Sequence, residues 1–402
     1  MHETVDIFSE KRHLGEWGER LWRRFAALGM GALVVSAGLA LVTPEGWRRF
    51  LFGYLINYAF LVSLALAALF FVVLQHLTRA GWSVVVRRLA EGIAATLPVL
   101  GVLLVPLLVG MPELYHWTHG DIVAADPILQ GKQGYLNTPF FVVRMVVYFA
   151  VWIWLARFFL RTSTAQDADG DVALSLTMQR RSAPAMVLFA LTVTFFSFDL
   201  LMSLDPHWFS TIFGIYFFAG GVVGFFALLI LATAVGQRWG FLRRAVTIEH
   251  YHDLGKLLFA FVVFWAYIAF SQYMLIWYAD IPEETGWYLR RTTGAWGWVG
   301  LALLLGHFLV PFGALLSRWS KRRRAVLVAA SVWLLFMHWL DLFWLVLPEA
   351  SAGGFPVNLM DLTLLIGLGS LFLAAAVFVL RRHALVPERD PRLDESLNFE
   401  NA

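Results

Sequence analysis

The sequence contains no cysteine among its 402 residues. This absence excludes disulfide bonds, iron–sulfur clusters held by thiolates, and covalently attached haem. Any electron carrier that works with this chain must therefore bind without a covalent bond or belong to a partner subunit.

Charged residues are also scarce, at 15% of the chain, whereas soluble domains contain about 25%. Hydrophobic residues make up 59% of the sequence and aromatic residues 16%. Aromatic side chains of this kind settle at membrane interfaces and fill gaps between helices. The composition excludes an ordinary soluble domain and predicts an integral membrane protein.

Long hydrophobic stretches fill most of the chain. Nearly all reach the roughly 20 residues that an α-helix needs to cross a bilayer. We therefore predict an all-α integral membrane fold with ten transmembrane helices. The predicted spans cover residues 25–42, 50–74, 89–109, 140–160, 184–204, 209–235, 254–278, 296–316, 325–347 and 359–380.

The predicted domains are an N-terminal segment, residues 1–24, a ten-helix domain, residues 25–380, and a C-terminal tail, residues 381–402. Trp17, Leu21, Trp22 and Phe25 follow helical spacing and predict an interfacial helix that leads into the first span. A signal peptide is the alternative for that span, but no good cleavage site follows it. The prolines and charges of the tail predict an extended cytoplasmic arm.

The distribution of basic residues predicts the topology. Alternate connections, counted from the N-terminus and including Lys256 at the start of the seventh span, contain 24 of the 31 Lys and Arg residues, and the opposite connections contain 5. The positive-inside rule then predicts that both termini lie on the cytoplasmic side of a bacterial inner membrane. The basic loop at residues 317–324 could also suit a nucleic acid, but beside a span it is better explained by topology, so no nucleic-acid partner is predicted.

A weak internal repeat relates two of the spans. Asp199 precedes Pro206 by seven residues, Asp341 precedes Pro348 by seven, and the two pairs are offset by 142 residues. This match predicts two four-helix bundles, spans 2–5 and 6–9, flanked by spans 1 and 10. Chance alignment is the alternative explanation.

Two carboxylates lie at matching positions in the outer halves of predicted spans, Asp199 in the fifth and Asp341 in the ninth. A charge at the bilayer centre costs roughly 2.5–3.5 kcal/mol on insertion scales, so such a residue needs a partner or a function. Arg144 enters the membrane at a similar depth, and His338 shares a helix face with Asp341. We expect one hydrogen-bonded cluster, in which Arg144 offsets one carboxylate and His338 bonds the other.

Such a cluster can hold and pass protons near neutral pH, because burial and neighbouring charges shift carboxyl and imidazole protonation. A polar staple between helices is the alternative, and no residue is predicted to be catalytic. The inner-side cations Arg157 and Lys256 are expected to extend to lipid headgroups. The proton-handling candidates are Asp199, Asp341, His338, Arg144, His307 and Tyr273.

The histidines are weak evidence for a haem or metal site. His307 and His338 alone lie well within spans, and one pair is weak evidence for a bis-histidine haem. His116 and His119 in the external loop lack a third ligand, so no metal site is predicted. The candidate contacts for a quinone ring are Gln272, Trp339, Phe343 and Trp344, for which packing is the alternative role.

The run FSFDLLMSLDPHWFSTIFGIYFFAGG, residues 196–221, resembles the signature of helices 5 and 6 in the F subunit of alternative complex III. That subunit is similar to the membrane anchors of the polysulfide reductase family. The chain length, the ten spans and the segments at residues 250–256 and 270–273 agree with the resemblance, which covers essentially the whole chain.

The resemblance implies a role in a quinol:cytochrome c oxidoreductase. Members of the family oxidise menaquinol or ubiquinol and pass electrons through iron–sulfur and multihaem cytochrome c subunits to cytochrome c or directly to a terminal oxidase. The implied partners are those subunits, a larger quinol-binding sister subunit and membrane lipids. We expect proton handling, quinone contact or scaffolding from this chain; the alternatives are a secondary transporter with a midplane site and a purely structural anchor.

Overall fold

The computed structural model describes residues 7–44, 46–351 and 358–401. The described chain is 82% helix and contains no strand. Ten helices are long and apolar enough to cross a membrane, which indicates a multi-pass integral membrane protein. Residues 1–6 of the predicted N-terminal segment, and residue 45 in the region searched for a cleavage site, lie outside the described ranges.

The ten predicted spans are confirmed as helices, which we number α1 to α10. The bounds are α1 Gly15–Val42, α2 Gly46–Leu77, α3 Val84–Val109, α4 Thr138–Asp169, α5 Val172–Leu204, α6 Phe213–Arg238, α7 Ile248–Ala279, α8 Gly294–Leu315, α9 Arg324–Ala350 and α10 Leu359–Leu380.

Several helices extend beyond the hydrophobic stretches that predicted them. The interfacial lead-in helix is continuous with the first span, since α1 begins at Gly15. Helix α5 begins at Val172 and keeps Pro184 inside it. A polar side chain caps the start of α5, where Asp171 accepts a hydrogen bond from the Ala173 amide. Hydrophobicity marks only the part of each helix that lies in lipid.

Helices α3 and α8 are interrupted within their spans. Helix α3 consists of the segments Val84–Ala94, Leu97–Leu103 and Val105–Val109. A proline near the start of each later segment explains the breaks, since proline lacks an amide donor. Helix α8 contains a π-helical turn at Leu304–Leu309. Such turns occur frequently at functional sites.

Helices α2 and α6 form the centre of the structure. Helix α6 packs against α2, α5, α7 and α9, while α1 packs along α10. Glycines on α6 allow the close approach: a Cβ added at Gly220 would lie 2.9 Å from His338 Nδ1, and one at Gly221 3.0 Å from the Ser63 carbonyl oxygen. This packing brings the polar residues of α9 against α2 and α6.

The C-terminal tail packs against the N-terminal segment and the connection between α2 and α3. Leu385 and Leu393 are buried, and the Leu385 amide donates to the Arg12 carbonyl at 2.8 Å. Ser396 donates to the Trp82 carbonyl at 2.6 Å. The expected extended arm is therefore wrong, because apolar residues interspersed among the charges fasten the tail to the connections between helices.

Candidate functional site

Asp199 forms a two-point ion pair with Arg144. Arg144 Nε donates to Asp199 Oδ2 at 2.8 Å and Nη2 donates to Oδ1 at 2.9 Å. The Tyr148 hydroxyl, one helical turn along α4, donates to Oδ2 at 2.8 Å. Asp199 is completely buried. Three donors, two of them from a cation, bond both oxygens of this carboxylate.

Aromatic and backbone groups hold the Arg144 guanidinium from the other side. Its Nη1 donates to the Tyr135 carbonyl at 2.9 Å, and its central carbon lies 3.8 Å from the centre of the Tyr135 ring. The Ser203 hydroxyl, at the outer end of α5, donates to the Asp199 backbone carbonyl at 2.5 Å. The pair therefore joins α4, α5 and the external loop.

Asp341 has a different environment at the equivalent depth of α9. The Tyr216 hydroxyl donates to Oδ1, and Trp265 Nε1 donates to Oδ2 at 3.2 Å. Asp341 is 1% exposed, and no basic side chain of the described chain forms an ion pair with it. The site is a buried carboxyl whose partners are neutral donors from α6 and α7.

The two buried histidines lie beside this carboxyl without bonding it. His338 Nε2 pairs with the Ser63 hydroxyl at 2.8 Å. Within the described ranges, His338 Nδ1 and both ring nitrogens of His307 lack a hydrogen-bond partner. His307, in the π-helical turn, stacks on Trp265 with ring centres 3.9 Å apart. The expected bond from His338 to a carboxylate is therefore wrong.

The polar residues form two separate groups rather than one cluster. One group joins Arg144 and Asp199 between α4 and α5. The other surrounds Asp341 between α6, α7 and α9. The expectation of a single cluster at one level is wrong, because the central helices α2 and α6 place the two aspartates in different helix interfaces.

An open cavity of about 710 Å³ lies at the surface of α7 and α8. It is bounded by α7, α8, α9 and the short external helix Pro282–Thr292. Tyr216 and Trp265, the two donors to Asp341, also line it. Tyr267 and Phe270 at its mouth are exposed on the lipid side of α7. The cavity thus connects the surface of the helices with the hydrogen-bonding partners of the buried carboxyl.

Polar groups occupy the outer part of the cavity. Gln272 Nε2 donates to the Tyr288 hydroxyl at 2.9 Å, and Gln272 Oε1 accepts from Ser210 at 2.9 Å. Arg291 Nη2 donates to Glu349 at 2.8 Å, while its Nε has no partner among the described residues. Burial lowers the pKa of Arg291 to about 10, so the guanidinium is charged at neutral pH. Burial raises the pKa of Tyr288, which keeps its hydroxyl protonated.

The predicted quinone contacts divide between the cavity and the core. Gln272 and Trp344 line the cavity, as does Tyr273, which was predicted to handle protons. Trp339 instead donates from Nε1 to Asn57 Oδ1 at 2.9 Å and packs against Phe343 with ring centres 5.3 Å apart. Trp339 and Phe343 do not line the cavity, because they lie on another face of α9 and pack against α2 and α8.

The loop residues considered as ligands make other contacts. His119 Nε2 lies 2.8 Å from the Pro112 carbonyl oxygen. In the described part of the chain, no group of three or more His, Cys, Asp or Glu residues could hold a metal ion.

Sequence reasoning missed five residues of these sites. Tyr148 could have been found, since it lies four residues after Arg144 on the same helix face. Tyr216 and Trp265 carried no comparable signal, because aromatic residues occur throughout these helices. Tyr288 and Arg291 lie in a connection whose external helix was not predicted. Only the packing of α6, α7 and α9 shows which of these side chains reach Asp341 or the cavity.

Comparison with known proteins adds no family to this description. No protein-family model matches the sequence, and no curated protein matches it.

Proposed function

We propose that this protein is a membrane subunit of a respiratory quinol:electron-acceptor oxidoreductase of the alternative complex III type. In this proposal Asp341 exchanges protons with a quinol or quinone bound in the adjacent cavity. Electrons pass to iron–sulfur clusters and haems c on partner subunits, since this chain has no cysteine to hold them. The resemblance of residues 196–221 to the F subunit supplies the family.

The observation that carries the proposal is the double role of Tyr216 and Trp265. Both side chains donate to the Asp341 carboxyl, and both line the cavity. A hydroxyl between a cavity and a carboxyl is positioned to relay a proton from one to the other. No basic residue of the described chain pairs with Asp341, in contrast to Asp199. Asp341 can therefore gain or lose a proton, and no buried cation loses its counter-charge.

The shape and lining of the cavity suit a ring with a long apolar tail. Its lipid-side mouth allows a membrane-soluble molecule to enter between helices, and its inner surface is mostly aromatic and aliphatic. The outer part contains the Tyr288 hydroxyl and Arg291 Nε, donors that suit a quinone carbonyl. Menaquinone and ubiquinone both meet these requirements.

The proposal includes two four-helix units, α2–α5 and α6–α9, with α1 and α10 at the side. Within the first unit α2 packs against α3 and α5, and within the second α6 packs against α7 and α9. Asp199 and Asp341 occupy the last helix of each unit. In this scheme Asp199 stabilises the first unit, and Asp341 exchanges protons.

Two alternative functions predict a different binding site, or none. A secondary transporter would bind its substrate between the two units near the midplane. A purely structural anchor would need no cavity beside a buried carboxyl. The cavity lies within the second unit and opens laterally, which favours a quinone over a solute from water.

Purification of the tagged full-length chain from its native membrane tests the assignment. We expect iron–sulfur and multihaem c subunits to copurify in fixed ratio, together with quinol oxidation. Ala266→Phe places a ring in the cavity and should raise the quinol KM, whereas Ala190→Phe on the exposed side of α5 is the matched control. Purification without redox partners, combined with substrate-driven solute uptake in vesicles, would overturn the proposal in favour of a transporter.

A further inference from the structure

An open cavity of about 550 Å³ on helix α4 contains two arginines, Arg157 and Arg161. The two lie one helical turn apart on the exposed side of the helix. Trp154, which is 56% exposed, lies one turn further towards the membrane centre. Ile153 and Phe158 complete an apolar wall beside the two cations.

Neither arginine is neutralised by the protein. No carboxylate of the described chain forms an ion pair with Arg157 or Arg161. Two other arginines at the same end of the helices do have acidic partners: Arg322 pairs with Glu249, and Arg381 with Glu19. Two like charges at this spacing repel each other by a few tenths of a kcal/mol. The arrangement therefore favours an anion from outside the chain.

The two arginines lie at the end of the hydrophobic stretch of α4, where lipid phosphates are expected. The hydrophobic stretch of α4 ends at residue 160, although the helix continues to Asp169. Arg157 and Arg161 thus lie on either side of the hydrophobic boundary, with Trp154 on the apolar side, where indole rings settle. Arg180 and Arg181, exposed on the neighbouring helix α5, precede its hydrophobic stretch at the same end of the membrane.

We propose that this cavity binds the headgroup phosphate of an anionic phospholipid. The guanidinium groups of Arg157 and Arg161 would hold the phosphate oxygens, because arginine presents paired donors that match phosphate geometry. An acyl chain would lie along Ile153 and Trp154. The ligand class is an anionic glycerophospholipid of the leaflet that the basic connections assign to the cytoplasm.

Native mass spectrometry of the full-length chain released from nanodiscs tests this site. The nanodiscs contain equal amounts of phosphatidylglycerol and phosphatidylcholine with identical acyl chains. Each arginine near an anionic surface strengthens binding about fivefold, so R157Q/R161Q should weaken retention of one phosphatidylglycerol about 30-fold. The control R244Q/R318Q removes the same charge from exposed positions outside the cavity and should retain the lipid.

A second measurement separates a lipid from a free anion. Phosphatidylglycerol should raise the melting temperature of the wild-type chain more than that of R157Q/R161Q, and inorganic phosphate should raise neither. An equal rise with inorganic phosphate would overturn the lipid assignment in favour of a soluble phosphate ligand. Unchanged phosphatidylglycerol retention in a folded R157Q/R161Q variant, or equal losses in the control, would also overturn it.

Discussion

Asp199 and Asp341 are both buried towards the C-terminal ends of their helices, α5 and α9, but within the described chain only Asp199 contacts a guanidinium. Arg144 donates to both oxygens of Asp199, whereas Asp341 accepts from Tyr216 and Trp265. The first carboxylate belongs to a closed, neutral pair. The second adjoins a cavity that a membrane-soluble molecule can enter, which makes it the better candidate for proton exchange.

The Arg144–Asp199 pair should stabilise the structure without taking part in turnover. Breaking a buried pair by removing one partner costs about 3–5 kcal/mol, because an unpaired charge remains. We expect Arg144→Gln to lower the melting temperature of the purified chain strongly. The double variant R144Q/D199N should recover much of the loss, since it removes both charges.

A double-mutant cycle measured by thermal unfolding checks this prediction. The folded double variant should also keep quinol turnover in the assembled complex. Additive losses in the cycle would show that the two residues do not act as a pair, and lost turnover in a stable double variant would assign Asp199 a role in proton handling.

The packed C-terminal tail should contribute to stability. Leu393 is 6% exposed against the inner face, and Leu→Ala in a core costs about 2–5 kcal/mol. We therefore expect Leu393→Ala to lower the melting temperature of the full chain, whereas Leu289→Ala, at an exposed position of the external helix, should change it little. Equal melting temperatures for Leu393→Ala and the wild type would mean that the tail does not brace the helices.

The sequence predicted the ten spans well, because a bilayer requires long apolar helices and tolerates few alternatives. It also predicted that Arg144 offsets one of the two carboxylates, because a cation within a span is rare, but it did not specify Asp199. The surroundings of Asp341 could not be predicted, since its partners are two aromatic residues among many. The tail was missed because its few apolar residues, Leu385 and Leu393 among them, are interspersed with charges and prolines.

The topology prediction depends on the asymmetry of basic residues, 24 against 5. A reporter fused after Arg324 or at the end of the chain should report the cytoplasm. This orientation places Asp341 and its cavity near the opposite, periplasmic side. Periplasmic reporter activity at either position would reverse the orientation and move the proposed quinone site to the cytoplasmic side.

The exchange of Asp341 for asparagine tests the central claim most directly. The amide preserves the shape and accepting oxygen of the carboxyl but cannot ionise near neutral pH. We expect Asp341→Asn to assemble normally and to lose about 10²-fold or more of quinol turnover, the range for a lost general acid–base group. Asp341→Glu, which keeps an ionisable group, should recover part of the activity, and Tyr216→Phe should lose part of it.

The measurement is quinol turnover, with proton release, in the purified assembled complex across the pH range. The account predicts a large loss for Asp341→Asn and a partial return for Asp341→Glu. Wild-type turnover and proton release in an assembled Asp341→Asn complex would contradict it and leave a bracing role for this carboxyl.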